Sequence, residues 1–258
     1  MFRSVAKYDI SVIIPSIRVQ NLEKIHFMLE RGIEPFSFET IVISPYELPD
    51  AIKTKDSVKY FKDFGSPSRC VQIASTLVEG KYMCWLSDDC VFITPNSLAQ
   101  CVQILEDNSE KDAVTLRYFE GEGFNEFPLD YWNAKYHDDM KQLPGIKEHY
   151  RIAPLGMYNT KQFREIGGLD CRYEHINICT HALAFRVQEN GGKIHMSPQT
   201  VARFYWSWHH TESKPVQDAY FLNDRDFFQK QYGQDISRTK IDYWNWMNVP
   251  SKWVKRFG

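Results

Sequence analysis

The chain has 258 residues, with 31 Lys and Arg against 33 Asp and Glu for a formal net charge of −2, so its size suits one large domain or one domain with an elaborated end and no global field points to nucleic acid. Charged residues make up 25 %, an ordinary share that argues against disorder, while aromatics reach 15 % and gather late in the chain. Met1 to Asp9 has no apolar core of signal-peptide length, no run approaches the roughly 18 apolar residues of a membrane span, and the six cysteines form no C-x-x-C pair, so reduced, buried thiols in a cytoplasmic protein are expected rather than a zinc site.

Ile10-Ser11-Val12-Ile13-Ile14-Pro15-Ser16 is a β-branched run stopped by proline, the pattern of a strand buried on both faces. Asn21 to Arg31 reads as a helix with Leu22, Ile25, Phe27, Met28 and Leu29 on its apolar side and Gly32 closing it. Phe38 to Ser44 is a second strand, stopped at Pro45, so the chain opens as a right-handed βαβ unit. Ser57 to Phe64 is a third strand, followed by a Gly-Ser-Pro turn. Ser68 is placed to cap the next helix, Arg69 to Val78.

Lys81 to Leu86 is the next apolar run, and it ends at Ser87-Asp88-Asp89. A buried strand gains nothing by ending in two carboxylates unless something there pairs with the charge. At the C-terminal end of a central strand, paired acids serve a cation and through it a phosphate; a solvated acidic turn is the competing reading. Pro95 to Glu106 then reads as a helix and Asp112 to Leu116 as a strand. This sustained alternation predicts an α/β protein with a Rossmann-type, mostly parallel sheet flanked by helices.

From Arg117 to Tyr150 the pattern breaks into glycine, acids and aromatics, Trp132 among them, as in a binding loop or a surface excursion. A strand over 152–159, a short helix over 161–166, a stronger helix over 180–189, strands over 193–196 and 200–206, and a helix over 224–232 follow. The division expected is a first α/β half at 1–116, a second, smaller half at 117–236, and an aromatic tail at 237–258. Trp244, Trp246 and Trp253 beside Lys252, Lys255 and Arg256 suit that tail to sugar stacking, to a membrane surface, or to packing on the domain.

Four stretches together resemble the inverting glycosyltransferases of the large family-2 type with the GT-A fold: Ser11 to Ser16, Ser87-Asp88-Asp89, Gly167-Gly168-Leu169-Asp170 with Leu183-Ala184-Phe185-Arg186 and Gly191-Gly192, and His209-His210. The resemblance implies a nucleotide-diphosphate sugar donor at the sheet edge, making 1–116 the nucleotide-sugar-binding half, and a glycan or lipid-linked saccharide acceptor, making 117–236 the acceptor-side and catalytic half. It implies Mn²⁺ or Mg²⁺ held by Asp89, with Asp88 helping and His209 or His210 completing the site; imidazole suits Mn²⁺ better. Pro15, Ser16 and Arg18, with Asp63 and Arg69, resemble the nucleoside pocket, and Gln72 stands where relatives often carry asparagine. Trp132 and Glu174 fall on the acceptor side. The likeness suggests polysaccharide biosynthesis in the cytoplasm, with peripheral contact at the inner face of the membrane through the tail.

Inverting transfer needs a base to take the acceptor's proton. Such families supply an acid where this chain has Thr180 and Ala182, and no carboxylate occurs between Glu174 and Glu189. Three readings stay open: an Asp→Ala-like loss at Ala182, another base such as His181 or Glu174, or a non-catalytic protein that binds nucleotide-sugar or glycan. A sugar nucleotidyltransferase is a further alternative, but Ser16 to Gln20 lacks the glycines of a phosphate loop.

Overall fold

A computed structural model describes residues 6–92, 94–121, 126–127, 151–205 and 214–233. The first half runs β1 (Tyr8–Pro15), α1 (Leu22–Ile33), β2 (Phe38–Ser44), α2 (Asp50–Lys53), β3 (Val58–Lys62), α3 (Pro67–Ser75), β4 (Gly80–Trp85), β5 (Cys90–Phe92) and α4 (Ser97–Glu106). Then come β6 (Ala113–Glu120), β7 (Glu126–Phe127), β8 (Gly156–Asn159), α5 (Thr160–Glu165), α6 (Ile176–Glu189), β9 (Ile194–Phe204) and α7 (Lys214–Ala219). A π-helical turn, Tyr220–Asp224, leads into α8 (Arg225–Gly233).

Along one sheet the strands stand in the order β3-β2-β1-β4-β8-β6-β9-β5, with β7 on β6. The first four are mutually parallel. The alternation of strands with helices made this part legible. β8 inserts antiparallel between β4 and β6, and β5 pairs antiparallel with β9. One sheet therefore joins the two expected halves, and residue 116 lies inside β6.

The sheet is buried on both faces. Ile13, Ile41, Ile43, Met83 and Trp85 pack on one side against α3, α5 and α6. Val12, Ile14, Val42 and Cys84 pack on the other against α1 and α4. Successive residues of one strand serve opposite layers, which is why β1 reads as a continuous apolar run.

Local details differ from the sequence expectation in three places. Ser66, not Ser68, caps α3, accepting the Arg69 N–H at 3.4 Å with Pro67 behind it; Ser68 is buried and donates to Glu174 O instead. Helix α6 begins at Ile176, a turn before the expected start. The two late strands are one, β9, which passes Pro198 through a shift in register against β6; there Ser197 Oγ takes the place of a backbone acceptor for the Arg117 N–H, at 2.9 Å. Among the described residues no helix is long and apolar enough to cross a membrane.

Candidate functional site

The parallel strands β3, β2, β1 and β4 lie side by side, so their C-terminal ends deliver residues 15–18, 44–46, 63–65 and 86–89 to one edge. Ligands of open α/β sheets bind at this edge. The ladder runs slightly past the strands: Ser16 N–H reaches Ile43 O at 2.9 Å and Leu86 N–H reaches Ile13 O at 2.9 Å. Pro15 ends β1 here, and Ser16 is buried behind it.

Asp88 and Asp89 are neighbours with different surroundings. Asp88 Oδ2 accepts the Ile17 and Arg18 N–H groups, both at 2.8 Å, and the Ser16 hydroxyl at 3.2 Å. Its Oδ1 faces the Arg18 guanidinium, with Nε at 3.0 Å and Nη2 at 2.5 Å. Asn21 Nδ2 donates to the Asp88 carbonyl at 2.9 Å. Both carboxylate oxygens thus fasten the β1–α1 loop to the end of β4. The structure gives Asp88 a latching task that the sequence reading did not contain.

Asp89 is only 8 % exposed, and neither of its carboxylate oxygens has a hydrogen-bond partner among the described residues. Arg18 Nη2 stands 3.5 Å from Asp89 Oδ2. Burial raises the Asp89 pKa, and the nearby Ser87 hydroxyl and Arg18 guanidinium oppose that rise. A buried carboxylate with idle oxygens is costly to keep. Its chemistry suits a hard cation taking oxygen ligands. Among the described residues no group of three or more His, Cys, Asp and Glu is placed to hold a metal ion. The Tyr205 N–H donates to Asp89 O at 3.3 Å, so the segment that carries His209 and His210 starts beside this aspartate. His209, His210, Trp132 and the tail lie outside the described residues.

Asp63 and Arg69 meet each other. Arg69 Nε donates to Asp63 Oδ1 at 2.9 Å and Nη2 donates to Oδ2 at 2.9 Å, while the Gly65 N–H adds a bond to Oδ1 at 2.8 Å. A Cβ at position 65 would stand 2.3 Å from Arg69 Cδ, so the glycine is what lets the pair close.

The Gly167–Asp170 turn is a clamp. Gln72 Oε1 accepts the Leu169 N–H at 2.6 Å, and Arg186 donates to Ile166 O at 2.7 Å and to Gly168 O at 2.6 Å. Gly168 sits at φ +64°, and a Cβ there would lie 2.4 Å from Gln72 Oε1. The turn aims residues 173–175 at the start of α6. That start shares the edge with Asp89 for two reasons. β9, which follows α6, runs parallel to β6 and hence to β4, so α6 runs the opposite way. Ser68, in the first turn of α3, hydrogen-bonds Glu174 O at 3.2 Å.

Asp224 fastens the same corner. Its Oδ2 accepts the Glu174 N–H at 2.8 Å and the His175 N–H at 2.6 Å, and its Oδ1 accepts from Asn223 at 2.7 Å. Burial raises its pKa. Burial also pushes the His175 imidazole down to about 4, with its ring 5.4 Å from that of Tyr220. Sequence reading missed Asp224, whose only signal was an acid at the head of a helix, and it missed Asn21.

Ala182 is 1 % exposed and belongs to the apolar core with Ile13, Trp85 and Phe185. A carboxylate there would stand beside these apolar side chains. Thr180 and His181 are buried as well.

No protein-family profile matches the chain, and neither does any curated protein. Solved structures do. The chain is similar to S. aureus TarS residues 1–349 with a TM-score of 0.57 at 13 % identity, covering 96 % of this chain and 81 % of that one. The same TarS fragment in complex with UDP gives 0.55 at 13 % identity, covering 87 % and 70 %. GalNAc-T7 with UDP, GalNAc and Mn²⁺ gives 0.57 at 15 % identity, covering 95 % of this chain and 56 % of that one. The likeness establishes the GT-A-like α/β fold.

Proposed function

We propose that this chain is a metal-dependent glycosyltransferase that moves a sugar, with inversion, from a nucleotide-diphosphate donor to a glycan or lipid-linked saccharide acceptor. The observation that carries the reading is Asp89: a buried carboxylate, at the ligand edge of the sheet, whose oxygens have no hydrogen-bond partner among the described residues. UDP in the TarS crystals, and UDP with Mn²⁺ in those of GalNAc-T7, support it.

In this reading Asp89 is the protein's ligand to Mn²⁺ or Mg²⁺. His209 or His210 joins it, being no more than about 18 Å of chain from Tyr205. A cation held there would supply the Lewis acidity that neutralises a diphosphate leaving group. Asp88 keeps Ser16, Ile17 and Arg18 in place at the nucleoside side, and the Asp63–Arg69 pair closes that side. Glu174, held through its backbone by Ser68 and Asp224, is the base that removes the acceptor's proton. Trp132 stacks on the acceptor, and the 237–258 tail brings the protein to the cytoplasmic face of a membrane in polysaccharide assembly.

A non-catalytic nucleotide-sugar-binding protein is the second reading. It is favoured by the acid-free, buried interior of α6, residues 179–187. Incubating the protein with Mn²⁺, a panel of nucleotide-sugars and glycan acceptors decides between them. Turnover that Glu174→Gln abolishes while leaving donor binding intact supports the transferase. Donor binding with no transfer or hydrolysis across the panel supports the binding protein, and no donor binding at all overturns both.

A further inference from the structure

Arg18 places a positive charge where the cation of the proposed site has to act. Its Nη2 lies 2.5 Å from Asp88 Oδ1 and 3.5 Å from Asp89 Oδ2, so one guanidinium faces both carboxylates. The three groups are largely shielded from solvent, with side-chain exposures of 14 % for Arg18, 3 % for Asp88 and 6 % for Asp89. In such surroundings charges interact more strongly than in water.

Asp88 does not need the Arg18 side chain to stay in place. Ser16 Oγ and the Ile17 and Arg18 N–H groups hold its Oδ2 independently. Asp89 makes no other ion pair among the described residues and no hydrogen bond there. Of the two carboxylates, Asp88 holds the guanidinium closely and Asp89 loosely.

We propose that Arg18 is an exchangeable counter-ion. In the donor-free protein its guanidinium neutralises Asp89 and opposes a cation there. When a nucleoside diphosphate arrives with the cation, Arg18 turns from Asp89 to the phosphate oxygens, which match its forked donors. The cation and the diphosphate then bind with positive coupling, and by linkage each strengthens the other equally. This rests on the reading of Asp89 as a metal ligand.

The test is a Mn²⁺ titration followed by the electron paramagnetic resonance signal of free Mn²⁺, with and without UDP. Wild type should bind Mn²⁺ weakly alone and on the order of tenfold more tightly with UDP. Arg18→Gln should bind Mn²⁺ alone on the order of tenfold more tightly than wild type, because a repelling charge is gone, and its gain from UDP should shrink. Arg18→Lys keeps the charge and should stay weak without UDP. Arg18→Gln binding Mn²⁺ alone no better than wild type, while UDP-dependent binding is still lost in Asp89→Asn, overturns the Arg18 proposal only. Mn²⁺ binding that is absent in wild type under both conditions, or that survives Asp89→Asn, removes the Asp89 reading and this proposal with it.

Discussion

Ala182→Asp separates a core position from a catalytic one. The side chain at 182 is 1 % exposed and packed with Ile13, Trp85, Leu183 and Phe185. Full burial raises a carboxyl's pKa by about 3–5, and each pH unit of that rise is worth about 1.4 kcal/mol. At pH 7, about three units above the unfolded value, the buried acid therefore costs about 4 kcal/mol, a large part of a typical folding free energy of about 5–15 kcal/mol. The sign follows from the raised pKa. The cost is smallest below the unfolded value near pH 3.9 and grows as pH rises toward the folded value. Urea denaturation of wild type and variant at pH 7 and pH 5 reads this directly, with a smaller gap at pH 5. Equal stability at pH 7 together with a gain of transfer by orders of magnitude would refute the reasoning, since the new acid would then have to face the cleft.

Asp89→Asn removes a buried, desolvated charge, so it should raise the melting temperature at pH 7 in metal-free buffer, by about 2–4 °C for each kcal/mol relieved in a domain of this size. The gain should shrink toward pH 4, where the raised Asp89 pKa lets the native carboxyl take up a proton. His175 titrates near 4 in the folded chain against about 6.5 unfolded, so it draws stability down as pH falls through that window, by up to about 3 kcal/mol. In urea melts His175→Gln should lose less stability than wild type between pH 6.5 and pH 4; parallel curves would contradict its burial as a neutral ring. Gly168→Ala places a Cβ 2.4 Å from Gln72 Oε1 at φ +64°. It should destabilise by about 1–3 kcal/mol, measured by the same denaturation, and an unchanged midpoint would mean the turn can re-form elsewhere.

The parallel part of the sheet was legible because its strands are unbroken apolar runs with hard stops. Pro15 ends β1, Pro45 follows β2, and the two aspartates follow β4. β8 and β9 were less so. β8 has four residues, too short for periodicity to orient it. The sequence reading left a gap at 197–199, where β9 shifts register against β6 and the Ser197 hydroxyl accepts the Arg117 N–H. The site's location was readable from the same stops, but its division of labour was not. Which aspartate latches and which is left idle depends on Ile17 and Arg18, some 70 positions away in the chain. Ala182 shows what a motif leaves out. A motif fixes spacing along a helix, whereas the burial of α6 on every side over residues 179–187 comes from the sheet and α8 packed around it.

The central claim is that Asp89 holds a cation for a nucleoside diphosphate at the C-terminal edge of β4. Crystals soaked in MnCl₂ and UDP, measured at the manganese absorption edge, test it most directly. The account predicts one strong anomalous peak about 2.0–2.2 Å from an Asp89 carboxylate oxygen, touching the diphosphate, with the Arg18 guanidinium drawn off Asp89. UDP bound at the sheet edge with no manganese on Asp89, or manganese bound only at other residues, would contradict it.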